Sequence, residues 1–216
     1  MIENQIVLGG NMKDWIGNKA STYKQLGARN NALTDRETND FYATDPKALE
    51  LFLEQLEKDN LKLHKTIWEC ACGEGHLSKL LESKGYNVLS SDLINRGYGE
   101  YGIDFLKVKS NELYKEVDIL TNPPYKYAQD FVNKALELLS PEHYCIMILK
   151  IQFLEGQTRK KLFEKYPPQY VYVHSTRQLC AINGEFDKYK SKSPALCYAW
   201  FIWKKGYSGE TIVRWI

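Results

Sequence analysis

The string Thr121-Asn122-Pro123-Pro124-Tyr125 carries the most chemical information in the chain. It follows the apolar run Val117 to Thr121, which has the composition of a buried strand, so it falls where a strand would end. An amino group conjugated to an aromatic ring is a poor nucleophile because its lone pair is delocalised. Two acceptors aimed at its N–H groups, the Asn122 side-chain oxygen and the Pro123 carbonyl, would favour the pyramidal nitrogen and its growing positive charge. Proline fixes φ and so holds that carbonyl in place, while Tyr125 offers a face on which a planar base can stack. A second pair, Pro167-Pro168, lies between a helical and a strand-like segment and needs no role beyond ending the helix.

A second cluster lies near Glu69-Cys70-Ala71-Cys72-Gly73-Glu74-Gly75, after the strand-like TIWE. Two glycines remove side chains and allow close approach of a ligand, although a G-x-G pair is equally a plain turn or the start of a dinucleotide site. The third glycine of the dinucleotide fingerprint is absent, since Ser78 stands there, and the acidic Glu69 precedes the turn. A carboxylate would repel a pyrophosphate and suit a cation, which favours S-adenosylmethionine, with its ammonium and sulfonium groups. Asp92, about 20 residues beyond the glycines at the end of the next strand, suits two ribose hydroxyls; the alternative is an ordinary turn residue. Asp104 and Phe105 could bond and stack on an adenine.

These residues need a frame that brings several strand ends together. Asp45-Pro46 marks a helix start, and Leu49, Phe52, Leu53 and Leu56 share a helical face. Helices also fit Leu77 to Leu81, ending at Gly85, then Phe131 to Leu139, ending at Ser140-Pro141, and the basic segment 157–165. Strand-like runs fall at 66–70, 86–91, 117–121, 145–149, 170–173 and 195–203. This alternation predicts an α/β fold, a mainly parallel sheet with helices on both faces and ligands at the carboxyl ends of its strands. Residues 1–40 read as a polar arm and 41–216 as one catalytic domain without a separate target-recognition domain.

Composition narrows the class further. The hydrophobic fraction of 44% and charged fraction of 26% fit a globular protein. No apolar run has transmembrane length and no leader is evident, so the sequence predicts a cytoplasmic protein without a membrane partner. Five scattered cysteines without a C-x-x-C pair predict reduced thiols and no metal. The net charge of +2 is small, but lysines and arginines concentrate in 159–192, where they could contact phosphates or merely solvate a surface.

These motifs resemble the amino-group DNA methyltransferases, most closely the small adenine-N6 enzymes of phages and prophages, some with restriction-modification roles. The resemblance extends from STYKQLGARN through NDFYATDPKALE, ECACGEGHLSKLL, SSDL and TNPPY to ALCYAWFIWKKGYSGETIVRWI. It implies a Rossmann-like class I fold with seven strands, the last antiparallel. It also implies that Glu69, Ala71, Gly73 and Gly75 cradle S-adenosylmethionine, Asp92 its ribose, and Asp104 and Phe105 its adenine. Phe41, Tyr42 and Thr44 would touch its methionine end, and Asn122, Pro123, Pro124 and Tyr125 the target base. The implied partner is DNA, with the adenine flipped out or single-stranded, handled by a monomer or weak homodimer. Without a recognition domain, sequence choice would fall to the arm, the 175–194 loop or a partner. RNA and a protein glutamine amide are alternative substrates for the same motif, and a silent nucleic-acid-binding module is a further alternative. No nucleophilic Pro-Cys pair follows a strand, which disfavours cytosine C5 chemistry.

Overall fold

Helix α1 (Pro46–Lys58) starts where Asp45-Pro46 predicts: the Asp45 carboxylate accepts from the Lys47 N–H at 3.0 Å, and Pro46 occupies a first-turn position. Its buried stripe is Ala48, Leu49, Phe52, Leu53 and Leu56. The computed structural model describes residues 42–110, 116–176, 180–182 and 197–216. The arm at 1–40, Phe41 and most of the 175–194 loop lie outside these residues.

Strand β1 (Tyr42–Thr44) precedes α1, and β2 (Thr66–Glu69) leads through the glycine turn into α2 (His76–Ser83). Gly85, at φ +87°, supplies the left-handed exit expected after α2. There follow β3 (Asn87–Asp92), the two-residue β4 (Glu100–Tyr101), β5 (Asp118–Thr121), α3 (Ala128–Leu138) and β6 (Tyr144–Lys150). Helix α4 (Gln157–Lys165), β7 (Tyr170–Val173), β8 (Cys180–Ile182), β9 (Tyr198–Lys204) and β10 (Ile212–Trp215) complete the described elements.

The main sheet has the order β10-β7-β9-β6-β5-β2-β3-β4. Its pairs are parallel except those of β9, which runs antiparallel to both β6 and β7. This is the expected architecture with one strand more than the seven anticipated. The addition is β10, whose side chains are exposed and therefore leave no burial pattern to read. Backbone pairing with β7 makes it a strand, aided by the Thr211 hydroxyl donating to the Pro168 carbonyl at 2.8 Å. A separate ribbon pairs β1 with β8, placing Thr44 opposite Cys180.

The central strands of the sheet are buried on both faces. Along β9, Trp200 and Ile202 join Leu49, Phe52, Ile67 and Leu120 on one side, and Phe201 and Trp203 join Trp68, Ile119 and Phe131 on the other. Each such side chain contributes about 1.5–3 kcal/mol by leaving water. Asp118, at the amino end of β5, is also buried, but its oxygens accept from the His64 N–H at 2.7 Å and the Tyr144 N–H at 2.9 Å, with the His143 ring at 3.2 Å. It thereby pins the starts of β5 and β6, while the other end of β5 helps to shape a cavity.

Candidate active site

The carboxyl ends of β2, β3 and β5 open on a cavity of about 510 Å³, within the usual range for a small-molecule site. Thr44, Glu69, Ala71, Asp92, Asp104, Phe105, Asn122, Pro123, Pro124 and Tyr125 all line it. Phe41 is outside the described residues, and of Tyr42 only the backbone in β1 is described. Gly73 and Gly75 stand behind the wall and shape the turn.

Their left-handed φ values, +56° and +77°, are what a turn from strand to helix needs here. The space left by the missing Gly75 side chain is filled from within the chain: a Cβ there would lie 2.3 Å from the Tyr98 ring. Tyr98 in turn donates its hydroxyl to Glu82 at 3.1 Å. The close approach that sequence reasoning reserved for a ligand thus belongs, at Gly75, to an aromatic side chain flanked by Gly97 and Gly99. That flanking was the available signal.

Gly73 serves the cavity indirectly. Its N–H donates to one Asp92 oxygen at 2.8 Å, and the Ile94 N–H donates to the other, also at 2.8 Å. Each carboxylate oxygen is oriented by one bond and retains acceptor capacity. Asp104 accepts from the Leu106 N–H at 3.2 Å and pairs with exposed Lys107 at 2.8 Å. Phe105 is packed into the core against Trp68, 5.2 Å between ring centroids, and Phe131, 4.9 Å, while still contributing to the cavity wall.

Glu69 differs from the negative charge that the sequence suggested. It is 2% exposed, and burial pushes its carboxyl up to about 8 despite the hydrogen bond donated by Ser78. Near neutral pH it is therefore mostly protonated. Ser78 also shares a 2.7 Å hydrogen bond with Ser90, tying α2 to β3. The residue standing in the third-glycine position is thus a partner of the buried acid.

Across the cavity, β5 runs into Asn122-Pro123-Pro124 and a short 3-10 helix, Tyr125–Tyr127, in which the Tyr127 N–H donates to the Pro124 carbonyl at 2.8 Å. The Asn122 amide is oriented by its Nδ2, which donates to Thr44 Oγ1 at 2.9 Å. Thr44 is itself 2% exposed. Tyr125 packs 5.9 Å from Tyr198 at an interplanar angle of 32°, and the Lys150 ammonium lies 4.7 Å from the Tyr125 ring centroid. Sequence reasoning passed over Lys150 and Tyr198; the one signal was a lysine just beyond an apolar strand. Among the described residues no cluster of His, Cys, Asp or Glu could hold a metal ion, and no helix is long and apolar enough to cross a membrane.

No family model matches the chain, and no curated protein matches it. Solved structures do. A Listeria monocytogenes protein described as a candidate class I S-adenosylmethionine-dependent methyltransferase superposes with a TM-score of 0.55 at 14% identity, covering 92% of this chain and 72% of its own. A candidate RNA methyltransferase from Pyrococcus horikoshii gives 0.56 at 14% identity, covering 87% and 98%. The methyltransferase subunit of a type I restriction-modification system from Streptococcus thermophilus gives 0.55 at 15% identity, covering 81% of this chain and 47% of its own. The strand order, the antiparallel β9 and these superpositions agree: the chain has the α/β, Rossmann-like fold of class I S-adenosylmethionine-dependent methyltransferases.

Proposed function

We infer that the chain transfers a methyl group from S-adenosylmethionine to the N6 amino group of adenine in DNA. The observation that carries this reading is the placement of Asn122-Pro123-Pro124-Tyr125 on the same cavity wall system as Asp92 and Phe105. The residues present fit the cofactor. Asp92 has acceptor capacity left for ribose hydroxyls, and Asp104 and Phe105 suit the adenine.

S-adenosylmethionine supplies, when bound, a methyl group activated by a positively charged sulfur. The chain's own residues prepare the nucleophile. Asn122 Oδ1 and the Pro123 carbonyl accept from the two N–H groups of the target amine, so its lone pair is drawn out of conjugation and becomes available. The new N–C bond would use that lone pair while the sulfur–methyl bond breaks and leaves its electron pair on sulfur, and one amine proton would then leave to water. Tyr125 provides a stacking face worth about 1–3 kcal/mol per base. The Lys150 ammonium beside the Tyr125 ring adds positive charge that suits a phosphate-bearing substrate. A base in a duplex cannot reach this depth, so the adenine is flipped out or presented in a single strand.

Recognition of the surrounding sequence falls, in this reading, to residues 1–40, the basic 175–194 loop or a partner. The protein acts in the cytoplasm, as a monomer or weak homodimer. The solved structures of similar fold include a candidate RNA methyltransferase and the methyltransferase subunit of a restriction-modification system, which makes RNA the second substrate to test. Incubation with isotopically labelled S-adenosylmethionine and mixed DNA and RNA, followed by mass spectrometry of nucleosides, is expected to yield labelled N6-methyladenine in the DNA fraction. Label confined to RNA or protein would refute the substrate assignment.

A further inference from the structure

The hydrogen bond between Thr44 and Asn122 in the cavity wall gives Thr44 a job distinct from contact with the cofactor. An asparagine amide can adopt two orientations related by a half-turn, and only the one that presents Oδ1 to an amino group makes it an acceptor. Asn122 Nδ2 donates to Thr44 Oγ1 at 2.9 Å across a sequence separation of 78 residues. Thr44 is 2% exposed, so water does not readily replace it. Its backbone is held in the β1–β8 ribbon, where it pairs with Cys180, and α1 begins two residues later.

We propose that Thr44 is the positioning residue for Asn122: its hydroxyl accepts from Nδ2 and so anchors the amide plane from which Oδ1 meets the target amine. This rests on the amine-methylation reading for its functional consequence, although the contact itself does not. Because the ribbon partner of Thr44 follows β7, the segment that continues into the basic loop is joined through β8 and β1 to the acceptor amide.

Thr44→Val keeps the shape and removes the acceptor, and Thr44→Ser keeps the acceptor. In the full chain, Thr44→Val is expected to lower kcat by about 10- to 100-fold, the usual effect of loosening a reacting group's position. Its KM for S-adenosylmethionine should stay within about twofold of the parent, since the cofactor contact is not the one removed. Thr44→Ser should restore most of kcat. A raised KM for S-adenosylmethionine with unchanged kcat would overturn the positioning role in favour of cofactor binding.

A readout independent of turnover keeps the two readings separable. The Asn122 side-chain amide, assigned in a nitrogen-15 spectrum by its loss in Asn122→Asp, should exchange its protons about fivefold faster in Thr44→Val, as expected for one lost hydrogen bond. Equal exchange in the parent and in Thr44→Val would overturn the proposal even if the enzyme methylates DNA. Faster exchange in a protein that methylates no amine would leave the contact standing and remove its proposed purpose.

Discussion

At the amino edge of the sheet, Asp118 is 1% exposed and receives the His64 and Tyr144 N–H groups as well as the His143 ring. At the carboxyl edge, Asp92 receives one backbone N–H on each oxygen and still faces a cavity. The two proline pairs divide in the same way. Pro167-Pro168 precedes β7, where the Tyr166 carbonyl accepts from the Trp203 indole at 3.1 Å and the Pro168 carbonyl from Thr211 at 2.8 Å. Pro123-Pro124 follows β5 and forms cavity wall. Residue type is therefore a poor guide to role in this protein. What separates the two edges is whether the polar groups are used up by the chain or held in place with capacity to spare.

The largest expected effect breaks that contrast at the carboxyl edge. Asn122→Ala removes an acceptor made for the reacting amine and should reduce kcat by about 10² to 10³-fold, as loss of one preorganised hydrogen-bonding group commonly does. Calorimetric affinity for S-adenosylmethionine should remain near the parent value; a matching loss of affinity would move Asn122 into the cofactor site. At the opposite edge, Asp118→Ala leaves buried N–H groups without their acceptor and should lower unfolding free energy by about 3 kcal/mol in chemical denaturation. Activity per folded molecule should be retained, and a selective loss of kcat would erase the distinction between the edges.

Asp92→Ala is expected to weaken S-adenosylmethionine binding by about 10- to 100-fold, the scale of charge-assisted hydrogen bonds, as measured by calorimetry. Unchanged affinity would remove it from the site. The last effect, spread over a range of pH, concerns Glu69. Its carboxyl is raised by burial to about 8 from an ordinary value of 4.5, so between these pH values the unfolded chain has released a proton that the folded chain holds. Its contribution to stability is full below 4.5 and is lost as pH rises toward 8, at no more than about 1.4 kcal/mol per pH unit. Glu69→Gln, which cannot ionise, should show a Tm advantage that grows across this window; parallel curves for the two proteins would contradict the buried neutral acid.

Much of the frame was legible because burial and local chemistry coincide. Asp45-Pro46 starts α1, and the apolar runs in β2, β5, β6 and β9 sit where both sheet faces are covered. The strands that escaped reading lack that coincidence. β10 is exposed throughout, and β1 and β8 exist as three-residue partners of each other across well over 100 residues. The cavity residues were approachable through strand ends, but their partnerships were not. Nothing local in Gly73-Glu74-Gly75 names Tyr98, nothing in Asn122 names Thr44, and the charge expected at Glu69 is altered by burial that only the folded chain imposes.

The position of β9 imposes an order on synthesis. It lies between β6 and β7 although it is made after both, pairing with β6 from Tyr144↔Lys204 to Lys150↔Tyr198 and with β7 on its other side. Until the ribosome has released residue 204, β6 has a bare hydrogen-bonding flank and β7 has no place in the sheet, while Trp200, Phe201, Ile202 and Trp203 have yet to enter the core. A nascent chain that stalls before this point carries an open template for strand pairing with other chains, the kind of edge that leads to aggregation. Completion of the sheet is thus deferred until residue 204 has been made, and the growing polypeptide depends on prompt elongation or on a chaperone's shelter until the keystone strand arrives.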